Sequence, residues 1–303
     1  MIVTVTLNPA LDVTYRVDRL RTGGTNRVSA VAERAGGKGV NVARVLAGRG
    51  RSVLVTGLLG VGATGEALRA DLDRAGLPHR LTAVQGATRR TVAVVADDGG
   101  VTGLWEPGPV VGAVEWQRFA EVDFPAALAG AAVVVLSGSL PPGVPVDAYA
   151  VLLRQAAAVG VPGVLDADGE ALRAGLAGRP ALVKPNAEEA ARASGLPEAA
   201  GPRAAAERLR ELGAEAAVVT AGPDGMFGSA DGLSWHTPAP RRVRGNPTGA
   251  GDAATAALAL ALADGLPWAE ASADAAALSA AAVAAPLAGD YDAALYRELT
   301  TQN

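Results

Sequence analysis

The segment Ala181-Leu182-Val183-Lys184-Pro185-Asn186, followed by Ala187–Ser194, contains the pattern that decides the fold. Its first three residues are apolar, and Pro185 interrupts the extended run. The alanine- and glutamate-rich stretch behind it has the composition of a helix. Because a short apolar run without polar alternation is typical of a strand buried on both faces, the segment predicts one strand–helix unit of a parallel sheet.

The same unit recurs along the chain. Short apolar runs bounded by glycine, proline or polar residues predict further buried strands at Ile2–Leu7, Val53–Leu59, Ala132–Leu136, Gly163–Leu165 and Ala216–Val219. The stretches between them predict helices at Val40–Ala47, Glu66–Ala75, Val146–Val159 and Ala204–Leu212. Alternating strands and helices favour an α/β fold with a mostly parallel sheet that helices cover on both faces.

Two segments have a different pattern. Asp12–Ala35 and Thr88–Glu106 alternate polar and apolar residues, and the second contains a hairpin-turn sequence at Asp97-Asp98-Gly99-Gly100. Alternation indicates strands with one solvated face, so both segments are expected to form a small separate sheet. A small sheet inserted into an α/β body commonly serves as a lid.

Composition excludes several classes of function. The 303 residues include 27 Lys+Arg and 31 Asp+Glu, a net charge of −4 that argues against a nucleic-acid partner. The absence of cysteine excludes disulfides, thiolate metal sites and a cysteine nucleophile, and His79 and His236 are too few for a multi-histidine metal site. Neither a signal peptide nor a membrane span is recognisable, so a soluble cytoplasmic protein is expected.

One glycine motif is interpreted as structural. Gly60-Val61-Gly62-Ala63-Thr64-Gly65 matches the G-x-G-x-x-G pattern of dinucleotide sites. No acidic residue follows in His79–Gln85, where such a site places the one that holds the ribose. A tight strand-to-helix turn is therefore favoured over NAD binding, and no P-loop sequence is present.

Asn246-Pro247-Thr248-Gly249-Ala250-Gly251-Asp252 indicates catalysis most strongly. Its glycines allow a ligand to approach the backbone, and the N–H groups of the helix that follows favour an anion. Asp252 is explained in one of two ways. It caps the helix, or it takes the proton from an attacking hydroxyl while the amides of Gly249, Ala250 and Gly251 hold a γ-phosphate.

A second glycine run, Ala35-Gly36-Gly37-Lys38-Gly39-Val40-Asn41, passes directly into a helix. One interpretation is a flexible loop with a solvated lysine. The other is a backbone that approaches a polyhydroxy ligand closely, with Asn41 on sugar hydroxyls and Lys38 on a phosphate.

In this order and spacing, the two segments resemble the signatures of the ribokinase (PfkB) family of sugar kinases, and the resemblance covers essentially the whole chain. Further matching motifs make it similar to the branch of 1-phosphofructokinases and tagatose-6-phosphate kinases. They are Thr6–Asp12, Asn26–Val28, Thr88-Arg89, Glu106–Pro109, Ser137–Pro141 and Lys184–Asn186. The resemblance implies one ribokinase-like domain over 1–303, with a three-layer core and a lid from 12–35 and 88–106. It also implies ATP with Mg²⁺ as phosphoryl donor, and a homodimer joined through the lid.

The resemblance also implies residue roles. Asp252 corresponds to the catalytic base, and Gly249, Ala250 and Gly251 to the anion hole. Substrate contacts are expected from Asp12, Gly37, Asn41 and Ser139, with Arg27, Lys38 and Arg89 near the substrate phosphate. Nucleotide contacts are expected from Lys184, Asn186, Glu189, Thr220, Gly222 and Gly225. Asn186 and Glu189 are also expected to hold Mg²⁺ through water, although a helix cap explains that pair nearly as well.

The expected activity is therefore ATP-dependent phosphorylation of a phosphorylated ketohexose to a bisphosphate. Fructose 1-phosphate and tagatose 6-phosphate are the leading acceptors, and fructose 6-phosphate is the third. A kinase of unphosphorylated sugars or nucleosides is disfavoured by the concentration of cations at Arg27, Lys38 and Arg89. A catalytically silent sugar-phosphate sensor is disfavoured by Asp252 and its intact Gly-Ala-Gly. Arg90 stands where the branch often has a neutral residue, which leaves the acceptor open.

Overall fold

The computed structural model describes residues 1–301, which form a nine-stranded sheet, a four-stranded sheet and helices on both faces of the larger one. The strands are β1 Ile2–Thr6, β2 Ala10–Val17, β3 Ala30–Gly36, β4 Val53–Val61, β5 His79–Ala87, β6 Arg89–Ala96, β7 Val101–Trp105, β8 Val133–Ser137, β9 Gly163–Asp166, β10 Leu182–Val183, β11 Ala216–Thr220, β12 Met226–Ala230 and β13 Leu233–Thr237. The helices are α1 Lys38–Gly48, α2 Ala63–Arg74, α3 Ala113–Arg118, α4 Phe124–Ala127, α5 Ala148–Ala158, α6 Gly169–Gly175, α7 Ala187–Ser194, α8 Gly201–Glu211, α9 Ala250–Asp264, α10 Trp268–Val283 and α11 Ala293–Thr301.

The large sheet has the order β13-β12-β11-β10-β9-β8-β1-β4-β5, and its strands are parallel except for the antiparallel β12 and β13. The apolar strands are buried on both faces: Val133 to Leu136 of β8 are all 0% exposed. One core packs the sheet against α1, α9 and α10, and the other packs it against α5 to α8. This three-layer arrangement is the predicted α/β fold class, which is confirmed.

The four-stranded sheet has the order β3-β2-β6-β7. It draws its strands from the two alternating segments, and residues 97–100 form the turn between β6 and β7. The alternation before Ala30 was misinterpreted, because Arg27-Val28-Ser29 lies outside the strands and is exposed. Asp12 lies opposite Arg34 on β3 and Thr91 on β6, so these three residues share one face of the small sheet.

The G-x-G-x-x-G segment forms the turn between β4 and α2, as interpreted from the sequence. Gly62 precedes α2 with φ 89°, a conformation that suits glycine. A Cβ on Gly65 would lie 2.0 Å from the carbonyl oxygen of Gly60, so the helix approaches the strand too closely for a side chain. Close packing therefore explains these glycines. Strand β5, which follows α2, was not predicted and extends the large sheet by one strand.

Within residues 1–301, no helix is both long enough and apolar enough to cross a membrane.

Candidate active site

A cavity of about 1300 Å³ opens where the carboxyl ends of the central strands face the small sheet. This is the edge at which parallel α/β sheets bind their ligands. With the exception of Arg27, every residue predicted for the site lines it: Asp12, Gly37, Lys38, Asn41, Arg89, Ser139, Lys184, Asn186, Glu189, Thr220, Gly222, Gly225, Gly249, Ala250, Gly251 and Asp252.

Asp252 lies in the first turn of α9 and is 7% exposed. Its Oδ2 accepts a hydrogen bond of 2.8 Å from Nδ2 of Asn41 on α1. Burial, followed by the nearby Asp166 carboxylate, raises the pKa of Asp252 to about 6, although Lys38 and the Asn41 hydrogen bond oppose the shift. A carboxylate of this pKa is ionised at neutral pH and more basic than an ordinary aspartate, which suits a general base.

The helix start beside Asp252 has no side-chain cap. Gly249 precedes α9 with φ 89°, and no side chain accepts its first N–H groups. The carboxylate of Asp252 instead bonds Asn41, so the capping alternative does not describe it. The Ala250 N–H donates to the carbonyl oxygen of Pro247 at 3.2 Å. The other N–H groups of the first turn and the dipole of this 15-residue helix make Gly249–Gly251 a suitable place for a phosphate.

A buried ion network lies between the two ends of the cavity, and its central acid was missed from the sequence. Asp166, 1% exposed, contacts Lys38 Nζ at 3.0 Å, Lys184 Nζ at 3.3 Å and Thr255 Oγ1 at 2.6 Å. Although its burial acts in the opposite direction, the two lysines and these hydrogen bonds lower the pKa of Asp166. Glu189, whose Oε1 lies 3.5 Å from Lys38 Nζ, brings the network to two lysines and two carboxylates. The signal was present: Asp166 is an acid at the carboxyl end of a buried strand.

Lys38, which the sequence predicts near the substrate phosphate, contacts two acids in the cavity. Its Nζ lies 3.0 Å from Asp166 and 3.5 Å from Glu189. Burial lowers the pKa of Lys38, but Asp166 and Glu189 outweigh it and hold the net pKa above the usual range. Lys38 is therefore a permanent cation next to Asp252 and the N-terminus of α9.

Asn186 and Glu189 form a reciprocal cap on α7, which is the alternative that the sequence left open. Asn186 Oδ1 accepts from the Glu189 N–H at 2.8 Å, and Glu189 Oε2 accepts from the Asn186 N–H at 2.9 Å. The other oxygen of Glu189 faces Lys38. Within residues 1–301 no group of three acids or histidines could hold a metal alone. The donor set thus fits an ion bound mainly by phosphates and water, with Glu189 and Asn186 behind the water.

The end of the cavity at the small sheet is formed by Asp12 on β2 and Arg89 on β6. Burial raises the pKa of Asp12 to about 6; the Arg89 guanidinium opposes this shift, and Asp252 reinforces it. Arg89 is half-buried and donates from Nε to the carbonyl oxygen of Asn8 at 3.1 Å. Its remaining N–H groups can bind a phosphate, for which the planar guanidinium is well suited.

Two other arginines, Arg27 and Arg90, do not line the cavity. Arg27 is exposed in the loop before β3 and, contrary to the expectation, does not line the cavity of the single chain. The pairing explains this: the Ser29 N–H bonds the carbonyl oxygen of Arg16, so the loop lies at the end of β2 away from Asp12. Arg90 is exposed on the face of β6 opposite Arg89, because successive strand residues alternate.

The end of the cavity between β11 and α10 includes residues to which the sequence assigned no role. The small and apolar Ala276, Ala280 and Val283 of α10 line it together with Met226 and Val243. Thr220, Gly222 and Gly225 lie at the end of β11 and in the turn after it. The alanine-rich composition of α10 gave no signal for these positions, since alanine is also common in plain helix packing.

Comparisons with known proteins show which family and fold the chain resembles. The sequence profile of the pfkB family carbohydrate kinases matches residues 5–293. Phosphofructokinase-2 from Escherichia coli in complex with potassium superposes with a TM-score of 0.89 at 30% identity over 99% of both chains. In its complex with fructose-6-phosphate the TM-score is 0.88 at 30% identity, again over 99% of both chains. A possible 1-phosphofructokinase from Thermotoga maritima superposes with a TM-score of 0.89 at 25% identity, over 99% of this chain and 97% of that chain.

Proposed function

Because this chain belongs to the pfkB family of carbohydrate kinases and is an ATP-dependent sugar-phosphate kinase, we propose that its acceptor is a phosphorylated ketohexose. Phosphoryl transfer to the free primary hydroxyl gives a bisphosphate. Fructose 1-phosphate and tagatose 6-phosphate are the proposed acceptors. The family resemblance drawn from the sequence is confirmed, and both kinds of phosphofructokinase neighbour fit the predicted branch.

One observation carries the proposal: Asp252, beside the uncapped start of α9, shares a cavity with Asp12 and Arg89. A guanidinium at one end and a carboxylate base at the other match a substrate with a phosphate on one carbon and a free hydroxyl on another. The electrostatic influence of Asp252 on Asp12 is consistent with both carboxylates facing one sugar.

The proposed chemistry follows from these positions. Asp252 accepts the proton of the attacking hydroxyl as the oxygen forms its bond to the γ-phosphorus and the bond to the oxygen of ADP breaks. The N–H groups at Gly249–Gly251 bind the oxygens of the phosphoryl group during its transfer. Lys38 and Lys184 offset the negative charge of these oxygens. Asn41 keeps the Asp252 carboxylate oriented through the 2.8 Å hydrogen bond.

Mg²⁺ is part of the proposal as the ion that neutralises the phosphates of ATP and fixes their orientation. Glu189 and Asn186 would hold it through water. This assignment rests on the donor oxygens of the α7 cap and on Glu189 Oε1, which lies outside the cap, 3.5 Å from Lys38 Nζ.

Fructose 6-phosphate is a second candidate acceptor, supported by the similarity to phosphofructokinase-2, a protein solved in complex with fructose-6-phosphate. An unphosphorylated sugar or nucleoside fits less well, because it offers no phosphate to the Arg89 guanidinium that lines the cavity. A silent sensor would not need Asp252 as a base.

A coupled ADP-release screen tests the proposal. ATP, Mg²⁺ and the purified protein are incubated with fructose 1-phosphate, tagatose 6-phosphate and fructose 6-phosphate, and with free fructose, tagatose and ribose. ADP release that depends on one phosphorylated ketohexose is expected, with kcat/KM about 10–100-fold above that of the free sugars, the value of one charge-assisted contact. Faster turnover of a free sugar would contradict the proposed substrate class.

The small sheet is proposed as a lid whose outer part joins two copies of the chain. Val31 on β3 and Leu104 on β7 are 59% and 60% exposed, and by the strand register both lie on the face of the small sheet opposite Asp12, where a second lid would cover them. Sedimentation would test the homodimer. A tetramer, the inhibited form of Escherichia coli phosphofructokinase-2, is the main alternative assembly.

Hydrogen exchange is expected to report lid closure. The cognate phosphosugar should slow amide exchange in 12–35 and 88–106, because acceptor contacts on β2 and β6 draw the lid towards Asp252. Strands β4 and β8 should not change. ATP alone should protect mainly the Thr220–Gly225 region. If saturating sugar leaves both lid segments unaffected at a constant oligomeric state, the lid proposal fails.

A further inference from the structure

The segment 284–290, between α10 and α11, packs behind the catalytic motif without lining the cavity. Asn246, the first residue of the motif, donates its backbone N–H to Val283 O at 2.9 Å and its side-chain amide to Pro286 O at 3.4 Å. Further along, a Cβ on Gly249 would lie 2.8 Å from the Cα of Ala288. The segment therefore forms the rear wall of the start of α9.

The same segment also touches the partner of the proposed base. A Cβ on Gly289 would lie 3.2 Å from the Cα of Asn41, which donates to Asp252. Segment 284–290 thus lies between the first turn of α9 and the first turn of α1. A shift of this segment would move Gly249 and Asn41, the two groups that set the phosphoryl site and the orientation of Asp252.

A single arginine ties this segment to the small sheet. Arg34 on β3 donates to both carboxylate oxygens of Asp290 at 2.7 Å and to the carbonyl oxygen of Ala288 at 3.2 Å. The planar fork of a guanidinium fixes direction as well as distance in such a bidentate pair. Arg34 also lies directly opposite Asp12 in the register of β2 and β3. The Arg34 side chain therefore connects β3, the strand paired with the Asp12 strand β2, to segment 284–290 behind the start of α9.

We propose that Arg34 and Asp290 are positioning residues for phosphoryl transfer, and that their ion pair couples the lid to the anion-binding start of α9. The inference rests on the proposed function and adds a role for two residues outside the cavity. When the acceptor seats against Asp12, strand β3 and Arg34 are held with it. Arg34 then holds segment 284–290 against Gly249 and Asn41.

The solvent exposure of the Arg34–Asp290 pair distinguishes a positioning role from a contribution to global stability. The Arg34 and Asp290 side chains are 20% and 45% exposed, and ion pairs open to solvent contribute little to global stability. Loss of the pair should therefore leave the fold intact and change the positions of Gly249 and Asn41. Small displacements of reacting groups reduce the rate much more than the binding of either substrate.

The test uses Arg34→Ala, Asp290→Ala and the double variant of the full chain. Each is expected to lower kcat about tenfold, to change KM for ATP and phosphosugar less than about threefold, and to shift Tm by no more than about 3 °C. The double variant should be no slower than either single variant, because both break one pair. Arg34→Lys should recover part of the rate.

Arg51→Ala is the control, because Arg51 forms a partly exposed ion pair with Asp264 at the far end of α9, with side chains 44% and 35% exposed. Its kcat should stay within about twofold of the parent. A parental kcat for Arg34→Ala, additive losses in the double variant, or the same loss in Arg51→Ala would overturn the inference.

A readout independent of turnover separates this inference from the proposed function. Amide exchange at 246–252 and 284–290 should accelerate in Arg34→Ala and not in Arg51→Ala, with β1 unchanged. Exchange identical to the parent would overturn the coupling even in an active kinase. Accelerated exchange in a protein that phosphorylates no sugar would support the coupling and reject only the proposed function.

Discussion

Asp252→Asn is expected to retain the fold and ATP binding while kcat falls about 10²–10⁴-fold, the contribution of a positioned general base. Asparagine keeps an oxygen that can accept from Asn41, and it removes a buried charge that burial and Asp166 disfavour. Because a raised carboxylate pKa disfavours the ionised form in the folded state, Tm should not fall at neutral pH. Steady-state kinetics and thermal unfolding measure both effects.

Asp264→Asn is the matched control. It makes the same change at the other end of α9, where the carboxylate is 35% exposed and paired with Arg51. Its kcat should stay within about twofold of the parent. If Asp252→Asn also stays within a few-fold, Asp252 is not the base.

The pH profile gives the same residue a second test. The base must be ionised, so kcat/KM of the parent should fall as pH drops through about 6, where Asp252 and Asp12 gain protons. The second pKa of a sugar phosphate also lies near 6. The decrease of kcat/KM at low pH is attributed to Asp252 only to the extent that it is absent from the profile of Asp252→Asn. An acid limb that is unchanged in the variant would reject the assignment.

Arg89→Ala is expected to raise KM for the phosphosugar about 10–100-fold, the effect of losing one charge-assisted contact to phosphate. KM for ATP should change less than about threefold, because Arg89 lies at the small-sheet end of the cavity, the end proposed to bind the sugar. Its Nε is 3.1 Å from the carbonyl oxygen of Asn8. Titration of initial rates against each substrate separates the two constants.

Arg90→Ala is the control on the same strand. Its side chain is exposed on the opposite face of the small sheet, so neither KM should change more than about twofold. Equal increases in both KM values of Arg89→Ala would place Arg89 away from the sugar phosphate. An effect of Arg90→Ala as large as that of Arg89→Ala would reject the assignment of the sheet face.

The sequence predicted the parts of the molecule that have local patterns. Apolar runs gave the buried strands, and α7 has the predicted bounds Ala187–Ser194. Glycines followed by a helix located the motif at Gly249–Asp252. The two alternating segments contain the strands of the small sheet, because a half-solvated strand must alternate.

Features set by tertiary contacts could not be predicted in this way. Arg27 lies in a motif of the family, but the pairing of β2 with β3 carries its loop away from the cavity. The 3.0 Å contact of Lys38 with Asp166 joins residues 128 positions apart, so no local pattern shows it. The pairing of Arg34 with Asp290 joins residues 256 positions apart, so it becomes visible only in the folded chain.

Phosphorus NMR of the complete reaction tests the central claim most directly. With ATP, Mg²⁺ and fructose 1-phosphate or tagatose 6-phosphate, the parent should convert the γ-phosphate signal of ATP into a second phosphate-ester signal on one of these sugars. ADP should appear in equal amount, with little inorganic phosphate. Asp252→Asn should form this product about 10²–10⁴-fold more slowly. Transfer to a free sugar in preference to both phosphosugars, or release of inorganic phosphate alone, would contradict the account.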